Sequence, residues 1–332
     1  MKRIWKDLAF ILVFAVLAPA VIVGVAVGRR DETPEAQTQQ TEQPTQAETQ
    51  ASQAAVYLPV IQSDGTVADM ELDDYLVGVV LQEMPAEFEL EAQKAQAVVA
   101  RTYALRRYTL APKHEGGAVC TNSACCQAYI SPEDYIAGGG SQLAVDNARA
   151  AVGATSGEVL TYDGVLIEAT YFSCSGGRTE DAAAVWGADV PYLQAVDSPG
   201  EEGATHFTDT VTFTAGEFAD ALGVTLAGSP LTWLGEVTYT DGGGVDTMVI
   251  GGVAYKGTTL RQSLGLRSTA FSMTATGDHI VVTTKGFGHR VGMSQYGADA
   301  MAVAGSGYDA ILAHYYPGTS LVDWIDKDGE LE

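Results

Sequence analysis

The chain has 332 residues, with 42 Asp or Glu against 18 Lys or Arg and a formal net charge of −24. That balance excludes nucleic acid, whose binding begins with Lys and Arg neutralising phosphates. It also disfavours an anionic membrane surface as the main partner. A neutral or cationic substrate suits it better, and solubility accounts for most of the acidity. Of the four cysteines, Cys120, Cys125 and Cys126 crowd together while Cys174 stands apart, a spacing that reads as a local site rather than a disulfide framework.

Lys2, Arg3 and Lys6 precede an uncharged apolar run from Leu8 to Gly28, which Arg29 and Arg30 close. The run is long enough to cross a ~30 Å hydrocarbon core as a helix. Residues 1–30 therefore read as a cytoplasmic tip and a retained transmembrane anchor, with signal cleavage near Ala18-Pro19-Ala20 as the alternative. Asp31 and Glu32 follow at once, so the positive-inside rule leaves the N-terminus in the cytoplasm and the bulk of the chain outside. Residues 31–55 are Gln, Thr, Glu, Ala, Ser and Pro with no large apolar side chain. Such a segment cannot bury enough surface to fold and serves as a linker that gives reach.

The folded part is expected over 56–325, with a tail at 326–332. Val56–Ile61 reads as a strand and Ser63-Asp64-Gly65 as a turn. Leu72–Gln82 reads as a helix with Asp73 and Asp74 in its first turn, where the dipole favours negative charge, and Met84-Pro85 breaks it. Leu90–Tyr108 is the strongest helix by spacing. A helix at Gln142–Ala154 precedes a hairpin of Glu158–Tyr162 and Val165–Phe172 around Asp163-Gly164. Thr214–Leu222 and Thr258–Leu264 read as helices, Leu234–Lys256 as short strands with Gly-rich turns, and Phe271–Thr284 as two strands. Helices at Met293–Val303 and Tyr308–Tyr316 close the chain. Helices and strands mix without regular alternation, so the fold class is α+β.

Glu83 stands at a helix end after the apolar stretch Leu76–Leu81. Apolar surroundings disfavour a charged carboxylate, so such a residue is a candidate general acid near neutral pH; an ordinary exposed helix-end glutamate is the alternative. Lys94 and Arg101 are seven apart and share a helix face, as either a sugar-orienting surface or a solvated one. His114, Cys120, Cys125 and Cys126 offer four ligands of the kind zinc takes in closed structural sites. Outside the membrane a disulfide of Cys120 with Cys125 or Cys126 competes. Cys174 reads as a buried small thiol, or as a nucleophile if His289 serves it as base. Ser175 and Gly176 open a Gly turn that permits close backbone approach. Gly286–Gly297 is dense in glycine and polar side chains, and Ser294 and Gln295 sit near a helix N-terminus suited to a sugar hydroxyl or acetamide.

In order along the chain, Asp74-Tyr75-Leu76 through Glu83-Met84-Pro85, Lys94 through Arg101-Thr102-Tyr103, Tyr171 through Gly177, Val185-Trp186-Gly187, Pro191-Tyr192-Leu193, Val196 through Gly200 and Gly286 through Gly297 resemble the sporulation D and amidase-enhancer family. The resemblance implies a lytic transglycosylase that cleaves the β-1,4 bond between N-acetylmuramic acid and N-acetylglucosamine and leaves a 1,6-anhydro end. Glu83 falls at the family's catalytic glutamate. Arg101 is implied as a second catalytic residue, and Lys94, Tyr103, Ser175, Gly176, His289, Ser294, Gln295 and Tyr296 as substrate-binding. The family implies peptidoglycan glycan strands stripped of stem peptides as substrate. It further implies the amidase stage II sporulation protein P and the membrane protein stage II sporulation protein M as partners, in septal thinning and engulfment. Some relatives enhance an amidase instead. His114, Cys120 and Cys126 match a zinc loop of the clostridial type, with Cys125 where a histidine is expected.

Overall fold

A computed structural model describes residues 55–324. The expected anchor, nearly all of the linker, and the tail lie outside the described residues. Among the described residues no helix is long and apolar enough to cross a membrane.

β1 (Tyr57–Ile61) turns at Gly65 and returns as antiparallel β2 (Val67–Glu71), with Tyr57 opposite Glu71 and Ile61 opposite Val67. The Glu71 carboxylate accepts from the Asp74 amide and starts α1 (Leu72–Glu83), whose first turn carries Asp73 and Asp74. Met84, placed before Pro85, is extended at φ −111, ψ 132 and ends the helix, as the clash with a following proline ring requires. α2 (Leu90–Thr109) follows. β3 (Val119–Cys120) then joins β1 in parallel, so the cysteine loop begins on the edge of the first sheet.

Ser131 and Ser141 cap α3 (Pro132–Ala137) and α4 (Gln142–Ala154) through their hydroxyls. β4 (Glu158–Tyr162) and β5 (Val165–Leu166) form the expected hairpin, with Asp163 and Gly164 both at positive φ, the backbone that a tight two-residue turn demands. The second arm stops at Leu166 rather than Phe172. Ile167 and Ala169 turn into the core, Arg106 and Arg107 hold Glu168, and β6 (Tyr171–Phe172) leaves to pair in parallel with Met293–Ser294.

Further along lie α5 (Ala182–Trp186), β7 (Thr208–Thr214), α6 (Ala215–Leu222), β8 (Leu234–Tyr239), β9 (Val245–Ile250), β10 (Val253–Lys256), α7 (Gly257–Ser263), β11 (Phe271–Thr276) and β12 (His279–Lys285). The chain closes with β13 (Met293–Ser294), α8 (Gln295–Val303), α9 (Tyr308–Tyr315) and β14 (Ser320–Asp323). The helix expected from Met293 starts two residues later, because Met293 and Ser294 are drawn into the pairing with β6 and the Ser294 hydroxyl then accepts from the Gly297 amide as the cap.

The observed class is α+β with five small sheets among the described residues. α2 divides the first two cores. Ala97, Ala100 and Ala104 face α1 and α4 in one cluster, while Ala92, Ala95 and Val99 face α8, α9 and β4 in the other. Small side chains on both faces let neighbouring helices approach closely. Burial of leucine and valine at ~1.5–3 kcal/mol each outweighs the one ion pair between α1 and α2, Asp73 with Arg101. A third cluster around Phe218, Ile250, Leu260 and Ile280 serves the lobe of β7–β12.

Gly78, in mid-α1, has a steric role. A Cβ there would stand 2.2 Å from the Tyr129 ring and 2.6 Å from the Ile130 carbonyl oxygen. The Ile130 amide donates to the Gly78 carbonyl at 3.3 Å. The chain leaving the cysteine loop thus lies directly against the helix that carries Glu83.

Candidate active site and adjoining His/Cys cluster

Glu83 is the last residue of α1, half-buried in the wall of a cavity of about 810 Å³. Three neutral donors meet its carboxylate: the Ala128 amide at 2.8 Å and the Tyr171 hydroxyl at 3.2 Å on Oε1, and Gln295 Nε2 at 3.4 Å on Oε2. It forms no ion pair among the described residues. Burial raises its pKa above the ordinary 4.5, and the three donors only partly oppose that shift. With no cation to hold it ionised, the carboxyl keeps its proton to higher pH than a free glutamate does.

The donors are themselves fixed. Gln127 Nε2 donates to the Tyr171 hydroxyl at 3.2 Å, and Gln127 Oε1 accepts from the Tyr75 hydroxyl at 3.3 Å. Burial, then the neighbouring Glu83, push the Tyr171 phenol well above its usual range, so it stays an O–H donor. β6 places Tyr171 and α8 places Gln295; the parallel pairing of β6 with β13 brings the two segments together.

His289 lines the same cavity between the rings of Phe172 and Trp186, at centroid distances of 5.6 and 5.3 Å. Burial, helped by Arg261, lowers its pKa to about 4, so it is a neutral imidazole at physiological pH. Its Nδ1 accepts from the Val291 amide at 3.1 Å, which leaves the other nitrogen as the N–H.

The ligand atoms of His114, Cys120, Cys125 and Cys126 all lie within 4.8 Å of one another, and every one of these cysteines is a free thiol. His114 Nε2 is 3.4 Å from Cys125 Sγ and 3.7 Å from Cys126 Sγ. A tetrahedral zinc with bonds of ~2.3 Å to sulfur sets its ligands about 3.8 Å apart, so the cluster fits a soft, four-coordinate metal ion. Cys125 and Cys126 also line the cavity, as do Tyr103 and Lys113. Lys113 Nζ donates to the Tyr103 hydroxyl at 2.9 Å and to the Cys125 carbonyl at 2.5 Å.

Several expected site residues lie elsewhere. Arg101 is fully buried, and its guanidinium donates to the carbonyls of Thr155 (2.6 Å), Val152 (3.2 Å) and Glu158 (3.3 Å) and to Asp73 at 3.2 Å. It ties α1 to the end of α4 and does not reach the cavity. Lys94 pairs with Glu91 at 2.6 Å and covers the Tyr308 ring, so it shares no site with Arg101. The Ser175 hydroxyl and the Ser175 and Gly176 amides donate to Oε2 of the buried Glu201 at 2.8 to 2.9 Å. They shape the turn rather than present groups to a ligand. Ser294 is buried as the cap of α8, and the Tyr296 ring packs edge-on against Phe88 at 4.9 Å. Cys174, fully buried, donates its thiol to Glu201 at 3.3 Å, and burial and that carboxylate push its pKa up to about 12, which disfavours the thiolate that a nucleophilic role with His289 needs. Of the expected residues, Glu83, Tyr103, His289, Gln295, Cys125 and Cys126 share the cavity.

Tyr171, Gln127, Lys113 and Glu201 were not singled out by sequence. Tyr171 opens the motif that ends at Gly177, and its place there was the available signal. Glu201 lies one residue past the Val196–Gly200 segment.

An α+β scaffold thus holds an unpaired carboxyl of raised pKa in an open cavity beside a metal-competent His/Cys cluster. Residues 62–162 match the family model described as stage II sporulation protein. The chain is 39% identical over 335 residues to stage II sporulation protein D of Bacillus amyloliquefaciens, covering 97% of this chain and 96% of that one. It is 42% identical over 275 residues to stage II sporulation protein D of Bacillus subtilis, covering 80% and 79%. It is also 30% identical to the amidase enhancer of Bacillus subtilis over 75% of this chain and 40% of that protein. The chain belongs to the stage II sporulation protein D family.

Proposed function

We propose that this protein is a peptidoglycan lytic transglycosylase acting on peptide-stripped glycan during septal thinning and engulfment in sporulation. The observation that carries the reading is Glu83, a carboxyl with a raised pKa, three neutral donors and no ion-pair partner in an open cavity. In the reaction the Glu83 carboxyl donates its proton to the glycosidic oxygen as the C1–O bond breaks. The carboxylate so formed is stabilised by Ala128 N–H, Tyr171 O–H and Gln295 N–H. It then takes the proton of the muramic C6 hydroxyl as that oxygen bonds to C1, closing the 1,6-anhydro ring. One residue serves as acid and then base. Hydrolytic glycosidases use two carboxylates, whereas Glu168, the other carboxylate on the cavity wall, is committed to Arg106 and Arg107.

Trp186 supplies an aromatic face for sugar rings beside the His289 imidazole. The His/Cys loop would hold zinc as a structural ion, fixing the segment that carries Gln127 and Ala128. The reading includes residues 1–30 as an anchor in the cell membrane with the catalytic region outside. It also takes the amidase stage II sporulation protein P as the source of stripped strands and the membrane protein stage II sporulation protein M as a partner. The test is mass spectrometry of peptide-free glycan digested by the full chain: 1,6-anhydro products with the native protein and none with Glu83→Ala support it. The likeness to a protein named amidase enhancer favours a second reading, a non-catalytic enhancer. That reading predicts no products from either protein while a cell-wall amidase speeds up in the presence of both.

A further inference from the structure

The cavity wall does not share the acidity of the rest of the chain. On a protein at −24, Glu168 is matched by two arginines, Arg106 and Arg107, and Lys113 adds a further cation. Arg107 and Lys113 flank the same ring: the guanidinium stands 4.7 Å and the ammonium 5.4 Å from the centroid of Tyr103. A divalent ion bound by three thiolates would leave the neighbouring cluster at −1, so on the wall Arg107 and Lys113 balance Glu168 and that cluster.

The two cations differ in what they have left to give. Arg107 is spent on Glu168 and on the Ala111 carbonyl. Lys113 donates only to the neutral oxygens of Tyr103 and Cys125 and forms no ion pair among the described residues. An ammonium has three protons, so one remains for a ligand, and its charge is uncompensated by any carboxylate. Tyr103 and the Cys125 carbonyl hold Nζ in place on the cavity wall that Glu83 shares.

We infer that Lys113 is the specificity-determining residue that reads the free lactyl carboxylate of N-acetylmuramic acid. The inference rests on the transglycosylase reading for its substrate. A glycan strand stripped of its stem peptides exposes one carboxylate on every second sugar, where an unstripped strand presents a neutral amide. A charge-assisted hydrogen bond from an ammonium favours the carboxylate over that amide. Lys113 is exposed at the solvated rim, which limits the discrimination to roughly two- to fivefold.

The full chain with its metal would be assayed in a Glu83→Gln background, so that strands stay intact. Binding would be measured to peptide-free strands and to the same strands with their carboxylates converted to methylamides. The expected result is affinity about two- to fivefold higher for the carboxylate strands. That preference and its salt dependence are lost in Lys113→Gln, return in Lys113→Arg, and leave binding of the amidated strands unchanged. The inference is overturned if there is no preference, if the preference survives Lys113→Gln, if neither strand binds, or if Lys113→Gln weakens both strands equally or lowers the metal content, since Lys113 would then be propping the loop. Cleavage by the chain with Glu83 intact is scored separately. A chain that cuts neither strand but keeps the Lys113-dependent preference sinks the transglycosylase reading alone; one that cuts the strands but binds them without regard to charge sinks the carboxylate-reading role alone.

Discussion

The amide of Ala128 donates to Oε1 of Glu83 at 2.8 Å, across 45 positions of the chain. Ala128 lies two residues past Cys126, so the loop that gathers the cluster also delivers a hydrogen bond to the carboxyl. Cys126→Ser should abolish stoichiometric metal binding and let that loop loosen. Elemental analysis and hydrogen exchange would show loss of the ion together with faster exchange of the Ala128 amide. An amide that stays protected without the ion would separate the two structures.

Glu83→Gln should cut transglycosylation by at least about a hundredfold, the size of a lost general acid–base, with circular dichroism unchanged. A residual rate within a few-fold of native would remove Glu83 from the chemistry.

The pH profile tests the donors. Glu83 has to start protonated, so the rate should fall as pH rises through its folded-state pKa, which burial places above 4.5. The Tyr171 hydroxyl bonds to the ionised form and lowers that value, so Tyr171→Phe should move the alkaline midpoint of kcat upward. A downward movement would mean that Tyr171 favours the neutral acid.

Arg101 and Glu83 make a useful contrast. Arg101→Met leaves the Thr155 and Val152 carbonyls and Asp73 without their donor, which should cost about 3 kcal/mol of stability in urea titrations. The rate per folded molecule should hold. Loss of rate with full stability would return Arg101 to the chemistry.

His289 should make the fold acid-sensitive. Its folded pKa of about 4 lies below the unfolded 6.5, so the unfolded chain binds the extra proton between those values. Stability is therefore full above pH 6.5 and falls as pH drops toward 4. Screening at the cavity mouth reduces the effect to about 2 kcal/mol. His289→Gln should flatten the decline in urea midpoint between pH 6.5 and 4.

Local patterns carried the long elements. The apolar run before Met84-Pro85 and the apolar spacing of Leu90–Tyr108 marked α1 and α2, and Asp163-Gly164 marked its hairpin. Where pairing is long-range the pattern failed. Tyr171–Phe172 looked like the end of a hairpin arm because nothing nearby reveals a partner at Met293–Ser294. The shared location of Glu83, Tyr103, His289 and Gln295 on one cavity, and the gathering of the four cluster residues, were legible from residue types and motifs. The site was not legible at Arg101 and Lys94. A cation on a helix looks alike whether it faces a sugar or, as Arg101 does, a set of buried carbonyls. Ala128 acts through its backbone and leaves no side-chain signal at all.

Gly78 gives the cavity a marker separate from its chemistry. The Tyr129 ring and the Ile130 carbonyl fill the space where any side chain at that position would go. A sequence carrying the glutamate and the cysteines but an alanine five residues before the glutamate must have rerouted the chain behind the loop. In sorting unfamiliar sequences, or in grafting this site onto another scaffold, that hydrogen atom in place of a methyl is the feature to check before the carboxylate.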